Sequence, residues 1–265
     1  MSLTVTILGC GSSGGVPRVG NDWGACDATN PKNRRRRCSI LLERMAEDKS
    51  TIALVDTSPD LREQLLDADV RQLDGILMTH SHADHVHGID DVRPLVIKMK
   101  RRIEIFMDEE TSVAVRERFR YIFETPPGSQ YPPLLDERRL VHGEACSIAG
   151  PAGAIEALPF RLDHGDIDAL GFRFGDTAYT PDLRAVPPES LDYMAGLDLW
   201  IIDALRYTSH PTHLTVEEAL GLIRKMKPRR AVLTNLHTDL DFERLRRELP
   251  ANVEPAYDGM RLTIT

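Results

Sequence analysis

Short apolar runs recur from one end of the chain to the other, and their length is that of strands rather than helices. They cover residues 4–8, 39–43, 51–56, 75–79, 103–107, 154–162, 171–174, 197–203 and 231–235. Helical patterns lie between them, over 60–69, 109–123, 215–226 and 241–249. The first follows Pro59, and the third opens on a capping box in which Thr215 stands three residues before Glu218. Strands and helices mix without any break in composition. This predicts one α/β domain over residues 1–265, with two sheets lying between helices. Residues 124–133 stand apart, because Pro126, Pro127, Pro132 and Pro133 exclude a regular helix or a central strand. The segment reads either as a connecting loop or as a flap over the active site, with Tyr131 available to stack on a base or a sugar.

The composition, 42% apolar and 28% charged, is that of a globular protein with a sizeable core. No apolar run approaches a membrane span, and the first residues enter a strand pattern without a signal-like start, so a cytoplasmic location is expected. Cys10, Cys26, Cys38 and Cys146 are scattered without paired spacing, which fits reduced thiols. A net charge of −8 argues against a general nucleic-acid binder. The local exception is Arg34-Arg35-Arg36-Arg37. It is either a solvated basic loop or the source of one or two guanidinium groups near an anionic substrate.

The most informative stretch is Thr79-His80-Ser81-His82-Ala83-Asp84-His85, which directly follows the run Gly75-Ile76-Leu77-Met78. His80 and His82 are two apart and can point the same way at a strand end. Asp84 and His85 come after the chain has begun to turn, so one loop can offer a pair of ligands to each of two adjacent ions. Imidazole with carboxylate suits zinc, manganese or iron.

These residues carry a family resemblance. The chain resembles the metallo-β-lactamase-fold hydrolases, whose signature is this His-x-His-x-Asp-His loop. More narrowly it is similar to the phosphodiesterase branch that holds the phosphoribosyl cyclic phosphate diesterases, with tRNase Z as a more distant relative. The narrower match rests on the glycine-rich start from Leu8 to Pro17 and on the Arg-rich lead into Cys38-Ser39. It also rests on Leu162-Asp163-His164, Thr180-Pro181-Asp182 and His210-Pro211-Thr212-His213, so it covers essentially the whole chain.

The resemblance implies an αββα four-layer sandwich and two divalent ions, manganese or zinc. His80, His82 and His164 would hold one ion and Asp84, His85 and a final His the other, with Asp182 between. The family usually places that final His directly after Thr234, where this chain has Asn235. His237 has the same side-chain parity and is the expected ligand, with Asn235 or water as the alternative. Asp56 is expected behind the His loop, fixing the tautomer of a ligand imidazole, and Asp203 is expected to orient His213. His213, close ahead of a helix N-terminus, is the expected contact to the substrate phosphate and the helper of the leaving group. Asp84 and His213 are thus the catalytic candidates, with His210 a weaker alternative to His213. His87, Asp90 and Asp91 read as loop polarity, and His142 as a surface residue. The Cys-x-Cys-x-x-Cys segment that often binds a structural zinc in this branch keeps only Cys26, so no such zinc is expected.

The expected activity is hydrolysis of a small cyclic phosphodiester of ribose or a nucleotide by a water activated between the two ions. Alternatives are a tRNA 3′-end endonuclease, a lactone or thioester hydrolase, and a non-catalytic metal-binding or RNA-binding scaffold. The expected partner is a small phosphodiester or nucleotide. No membrane and no stable nucleic-acid partner is expected, and a homodimer stays open.

Overall fold

The computed structural model describes residues 2–264. The chain lays down β1 (Ser2–Gly9), β2 (Ser39–Ala46), β3 (Lys49–Val55), β4 (Gly75–Leu77), β5 (Ile103–Met107) and β6 (Leu135–Arg139). It continues with β7 (Cys146–Ile148), β8 (Ile155–Asp163), β9 (Asp168–Phe174), β10 (Thr177–Thr180), β11 (Leu199–Asp203), β12 (Arg230–Thr234), β13 (Val253–Pro255) and β14 (Arg261–Ile264). Six helices interleave: α1 (Leu61–Asp67), α2 (Ala83–Val86), α3 (Arg93–Met99), α4 (Glu109–Phe123), α5 (Val216–Met226) and α6 (Phe242–Glu248). One seven-stranded sheet has the order β14-β1-β2-β3-β4-β5-β6, and the other β13-β12-β11-β10-β9-β8-β7.

Strand alternation explains the layering. In β11, Leu199 and Ile201 face the opposing sheet, where they join Val5, Ile7, Ile40, Leu42 and Val55. Trp200 and Ile202 point the other way and pack with Val216, Ala219 and Ile223 of α5 and Leu245 of α6. On the far side of the first sheet, Leu54, Ile76 and Ile105 meet Leu61 and Leu65 of α1 and Val115 and Ile122 of α4. Each such buried side chain stabilises the fold by roughly 1.5–3 kcal/mol. The result is the αββα sandwich of the metallo-β-lactamase fold. Among the described residues no helix is long and apolar enough to cross a membrane.

The differences from the sequence reading have physical reasons. The runs expected over 51–56 and 231–235 end one residue early, at Val55 and Thr234. Asp56 and Asn235 then turn the chain with φ of +64° and +63°. β6, Leu135-Asp136-Glu137-Arg138-Arg139, shows no apolar alternation because it is the outer strand of its sheet. Residues 124–133 form no helix or strand and Tyr131 is 75% exposed.

Candidate active site

Most of the site hangs from the carboxyl ends of parallel strands, where the chain leaves the ladder and its side chains are free to converge. In the first sheet β3 and β4 are parallel. Asp56 follows the one, and the loop to α2, with His80 and His82, follows the other. In the second sheet β10, β11 and β12 are parallel. Asp182 follows the first, Asp203 closes the second and Asn235 follows the third. His164 comes at the end of β8, where Gly165 turns the chain with φ of +85°.

The Asp182 carboxylate faces imidazoles from both sheets. Its Oδ1 lies 3.2 Å from Nε2 of His85, and its Oδ2 lies 3.8 Å from Nε2 of His80 and 3.4 Å from Nε2 of His164. His82 presents Nδ1 to His164 Nε2 at 3.3 Å, and Asp84 reaches to 3.5 Å from His85 Nε2. Three groups of ligand atoms overlap here: His80, His82 and His164; His80, His85 and Asp182; and His164, Asp182 and His213. The Nε2 atoms of His80 and His85 are buried and make no hydrogen bond. Leaving such atoms unsatisfied costs about 1–3 kcal/mol each, and divalent ions beside Asp182 would satisfy both. The donor set therefore fits the cations that its chemistry implies.

The opposite ring nitrogens are already committed. Asp56 is fully buried and takes Nδ1–H of His85 at 2.7 Å. The same carboxylate accepts from the backbone N–H and the hydroxyl of Thr79, both at 2.8 Å. Because that hydroxyl donates to Asp56, it can accept from Nδ1–H of His80, 3.0 Å away. His164 donates its Nδ1–H to the carbonyl of Thr212 at 2.8 Å. His80, His85 and His164 thus all turn Nε2, the nitrogen that would bind a cation, toward Asp182. Burial lowers the pKa of His80, His82 and His164, which favours the neutral, metal-binding form. At His85 burial also lowers the pKa, but Asp182, Asp56 and Asp84 outweigh it and raise the value well above normal. Burial raises Asp182 in turn, and His85 and His80 overcome that to hold it well below the usual carboxylate range.

His213 sits to one side of this cluster, with Nε2 3.9 Å from Asp182 Oδ2. Its Nδ1 lies 3.1 Å from Asp203 Oδ2, which also accepts from the backbone N–H groups of Leu183 and Leu214. Burial lifts Asp203 to about 6. Burial would lower His213, but Asp203 prevails and raises it to about 9. At pH 7 the two form an ion pair in the metal-free protein.

Asp56→Asn is expected to weaken metal binding about 10–100-fold, because an amide N–H in place of Oδ2 would confront Nδ1–H of His85. Dialysis against graded chelator followed by elemental analysis checks this, and wild-type retention would contradict it.

A beta-lactamase superfamily domain matches residues 51–235. The chain belongs to the β-lactamase superfamily. Within it, a crystal structure of a diphosphatase from the PhnP family is 35% identical and superposes with a TM-score of 0.88, covering 100% of this chain and 98% of that one. This β-lactamase-superfamily member is accordingly of PhnP-like type. An octanoyltransferase from Porphyromonas gingivalis (strain ATCC BAA-308 / W83) is 32% identical over 263 residues, 97% of this chain but 51% of that protein. A ribonuclease Z from Bradyrhizobium sp. (strain ORS 278) is 29% identical over 147 residues, 55% of this chain and 46% of that protein. The chain spans about half the length of the curated relatives it matches.

In this PhnP-like chain, six of the seven expected metal ligands converge: His80, His82, Asp84, His85, His164 and Asp182. His237 is not brought into that cluster, contrary to the expectation from parity. The left-handed turn at Asn235 breaks the strand alternation on which parity depends. His237 instead places Nδ1 2.7 Å from Asp239 and Nε2 against the guanidinium of Arg18. Asn235 occupies the position after Thr234, its amide nitrogen 3.1 Å from the carbonyl of Pro181 and 3.5 Å from Asp182 Oδ1.

Beside the cluster opens a cleft of about 130 Å³ whose lining includes Ser12, Arg18, Asp84, Arg206, His210 and His213. None of Arg34, Arg35, Arg36 and Arg37 lines it. Arg35 is buried and donates to the carbonyls of Leu240 and His237, Arg36 pairs with Asp67, and Arg37 with Asp60. Sequence reasoning missed Ser12, Thr79, Arg18 and Arg206. The glycine-rich start was visible, but nothing in it marked which polar side chain would face the cleft. His142 is exposed and accepts from the backbone of Arg161, and Asp90 pairs with Arg93.

Proposed function

We propose that this chain is a binuclear metal-dependent phosphodiesterase that hydrolyses a small cyclic phosphodiester of ribose or a nucleotide. The observation that carries this reading is the Asp182 carboxylate flanked by imidazoles of both sheets, with the His213–Asp203 pair on the rim of an arginine-bearing cleft. Divalent ions held by His80, His82 and His164 and by Asp84, His85 and Asp182 would supply Lewis acidity and a water acidic enough to attack at neutral pH. Asp182 stands between the two groups, its Oδ2 toward His80 and His164 and its Oδ1 toward His85, and would be shared by the two ions. Asp56 and Thr79 keep two imidazoles in the right tautomer. His213, protonated and held by Asp203, is aimed to donate its Nε2 proton to the departing ester oxygen. The cleft has room for a phosphoryl group and part of a sugar, and the net charge of −8 argues against general nucleic-acid binding.

A second reading, cleavage of a diphosphate linkage, draws support from the 35% identical PhnP-family diphosphatase. Both bonds join a phosphorus that carries a single negative charge before attack. A monoester product brings an additional charge and a poorer leaving group, so little phosphomonoesterase activity is expected. The test is a panel at matched metal loading: a ribose cyclic phosphate, its monoester product, a dinucleotide diphosphate, a lactone and a pre-tRNA. Fastest turnover of the cyclic diester is expected. Faster hydrolysis of the monoester or the lactone would overturn the phosphodiesterase reading, and preference for the diphosphate would select the second one.

A further inference from the structure

We infer that the glycine-rich loop at the start of the chain forms a substrate-binding wall of the cleft. In it the Ser12 hydroxyl and the Arg18 guanidinium grip phosphate oxygens, and His237, held by Asp239, aims Arg18. The inference rests on the phosphodiesterase reading of the same site.

Four observations carry it. Ser12 is 3% exposed, lines the cleft, and its Oγ is buried without a hydrogen-bond partner. A buried hydroxyl left in that state is costly, and a phosphate oxygen is the partner its position calls for. Arg18 lines the same cleft, and among the described residues no carboxylate lies within ion-pair distance of its guanidinium or of that of Arg206. Arg206 is spent on the carbonyls of Thr208 and Ser209. Arg18 has His237 as its side-chain contact.

The direction of that contact follows from Asp239. An ionised carboxylate only accepts, and burial, which would raise Asp239, is outweighed by His237, which lowers its pKa. Nδ1–H of His237 therefore donates to Asp239, and Nε2 turns its lone pair to Arg18, whose N–H donates. That lone pair is the one a metal ion would need, so holding Arg18 and binding a metal exclude each other. Gly14 completes the arrangement, since a Cβ there would sit 3.2 Å from Cγ and Nε of Arg18. The loop is glycine where the arginine crosses it. A guanidinium with one N–H tied back to His237 keeps its remaining donors for the planar, two-point contact that phosphate oxygens accept.

The test uses inorganic phosphate as the binding probe, titrated calorimetrically into the metal-loaded protein, alongside KM and kcat for bis(p-nitrophenyl) phosphate. Arg18→Ala is expected to weaken phosphate binding about 10–100-fold and to raise KM more than it lowers kcat, with metal content unchanged. His237→Ala and Asp239→Asn should move KM the same way by less, and His237→Gln, whose amide oxygen can still accept from Arg18, should recover part of the loss. Ser12→Ala should give a smaller loss than Arg18→Ala. Unchanged phosphate affinity in Arg18→Ala would overturn the inference, as would a drop in metal content in His237→Ala. Diester turnover with Arg18-independent binding would leave the activity standing and remove the wall. Arg18-dependent binding with no diester turnover would do the reverse.

Discussion

His213→Ala is expected to lower kcat on an alkyl or ribosyl phosphodiester about 10²–10⁴-fold, the usual contribution of a positioned proton donor. The side chain is held as such a donor must be, since Asp203 binds Nδ1 at 3.1 Å and Nε2 faces the cluster. A p-nitrophenyl diester needs little protonation of its leaving group, so its loss should be distinctly smaller. The pH profile gives an independent check. A proton donor works only while protonated, so activity should fall as pH rises through the His213 pKa. That value is about 9 without cations and is expected lower beside them. The alkaline fall should be absent from the residual activity of His213→Ala. Equal losses on both substrates would remove the proton-donor role, and a loss of bound metal would instead make His213 a ligand, as its place beside His164 and Asp182 allows.

Asp182→Ala is expected to have the larger effect still, bringing turnover below detection and bound metal to about one ion or fewer per chain. No other carboxylate lies against imidazoles from both sheets among the described residues. The isosteric Asp182→Asn separates charge from shape through stability without metal. The folded-state pKa of Asp182 is depressed, so its contribution is present above the unfolded carboxylate value of about 3.9 and is lost as pH falls through the folded value. The difference in melting temperature between wild type and Asp182→Asn, in chelator, should therefore be largest near neutrality and shrink on acidification. A difference independent of pH would mean that Asp182 acts by shape alone.

Much of this site was legible because short-range order dictates it. His80, His82, Asp84 and His85 lie on one loop and helix start, and the apolar run before them announces a buried strand. The ends of the runs 197–203 and 231–235 could likewise be read as places where side chains emerge, whereas β10 (Thr177–Thr180) was not foreseen and Asp182 was expected from Thr180-Pro181-Asp182 and the family resemblance. What failed was alternation carried past a strand end. Asn235 adopts a left-handed conformation, and two residues later His237 faces Arg18 rather than Asp182. The arginines were misjudged for a related reason. A run of four looks like a charged surface, yet Arg35 is 2% exposed and ties the loop of residues 237–240 to the N-terminal segment. The one that meets the cleft, Arg18, stands alone in sequence and is brought there by the glycine loop and by contacts more than two hundred residues away. Strand β6, an outermost strand, escaped detection because its sequence shows no apolar alternation, and β14 because its alternation, Arg261-Leu262-Thr263-Ile264, runs for only four residues.

The most direct test of the account is to titrate metal-free protein with manganese while following hydrolysis of bis(p-nitrophenyl) phosphate. The two overlapping ligand sets require turnover to rise with added metal and to break at about two equivalents per chain. A break at one equivalent, or no turnover at any loading, would contradict a binuclear phosphodiesterase.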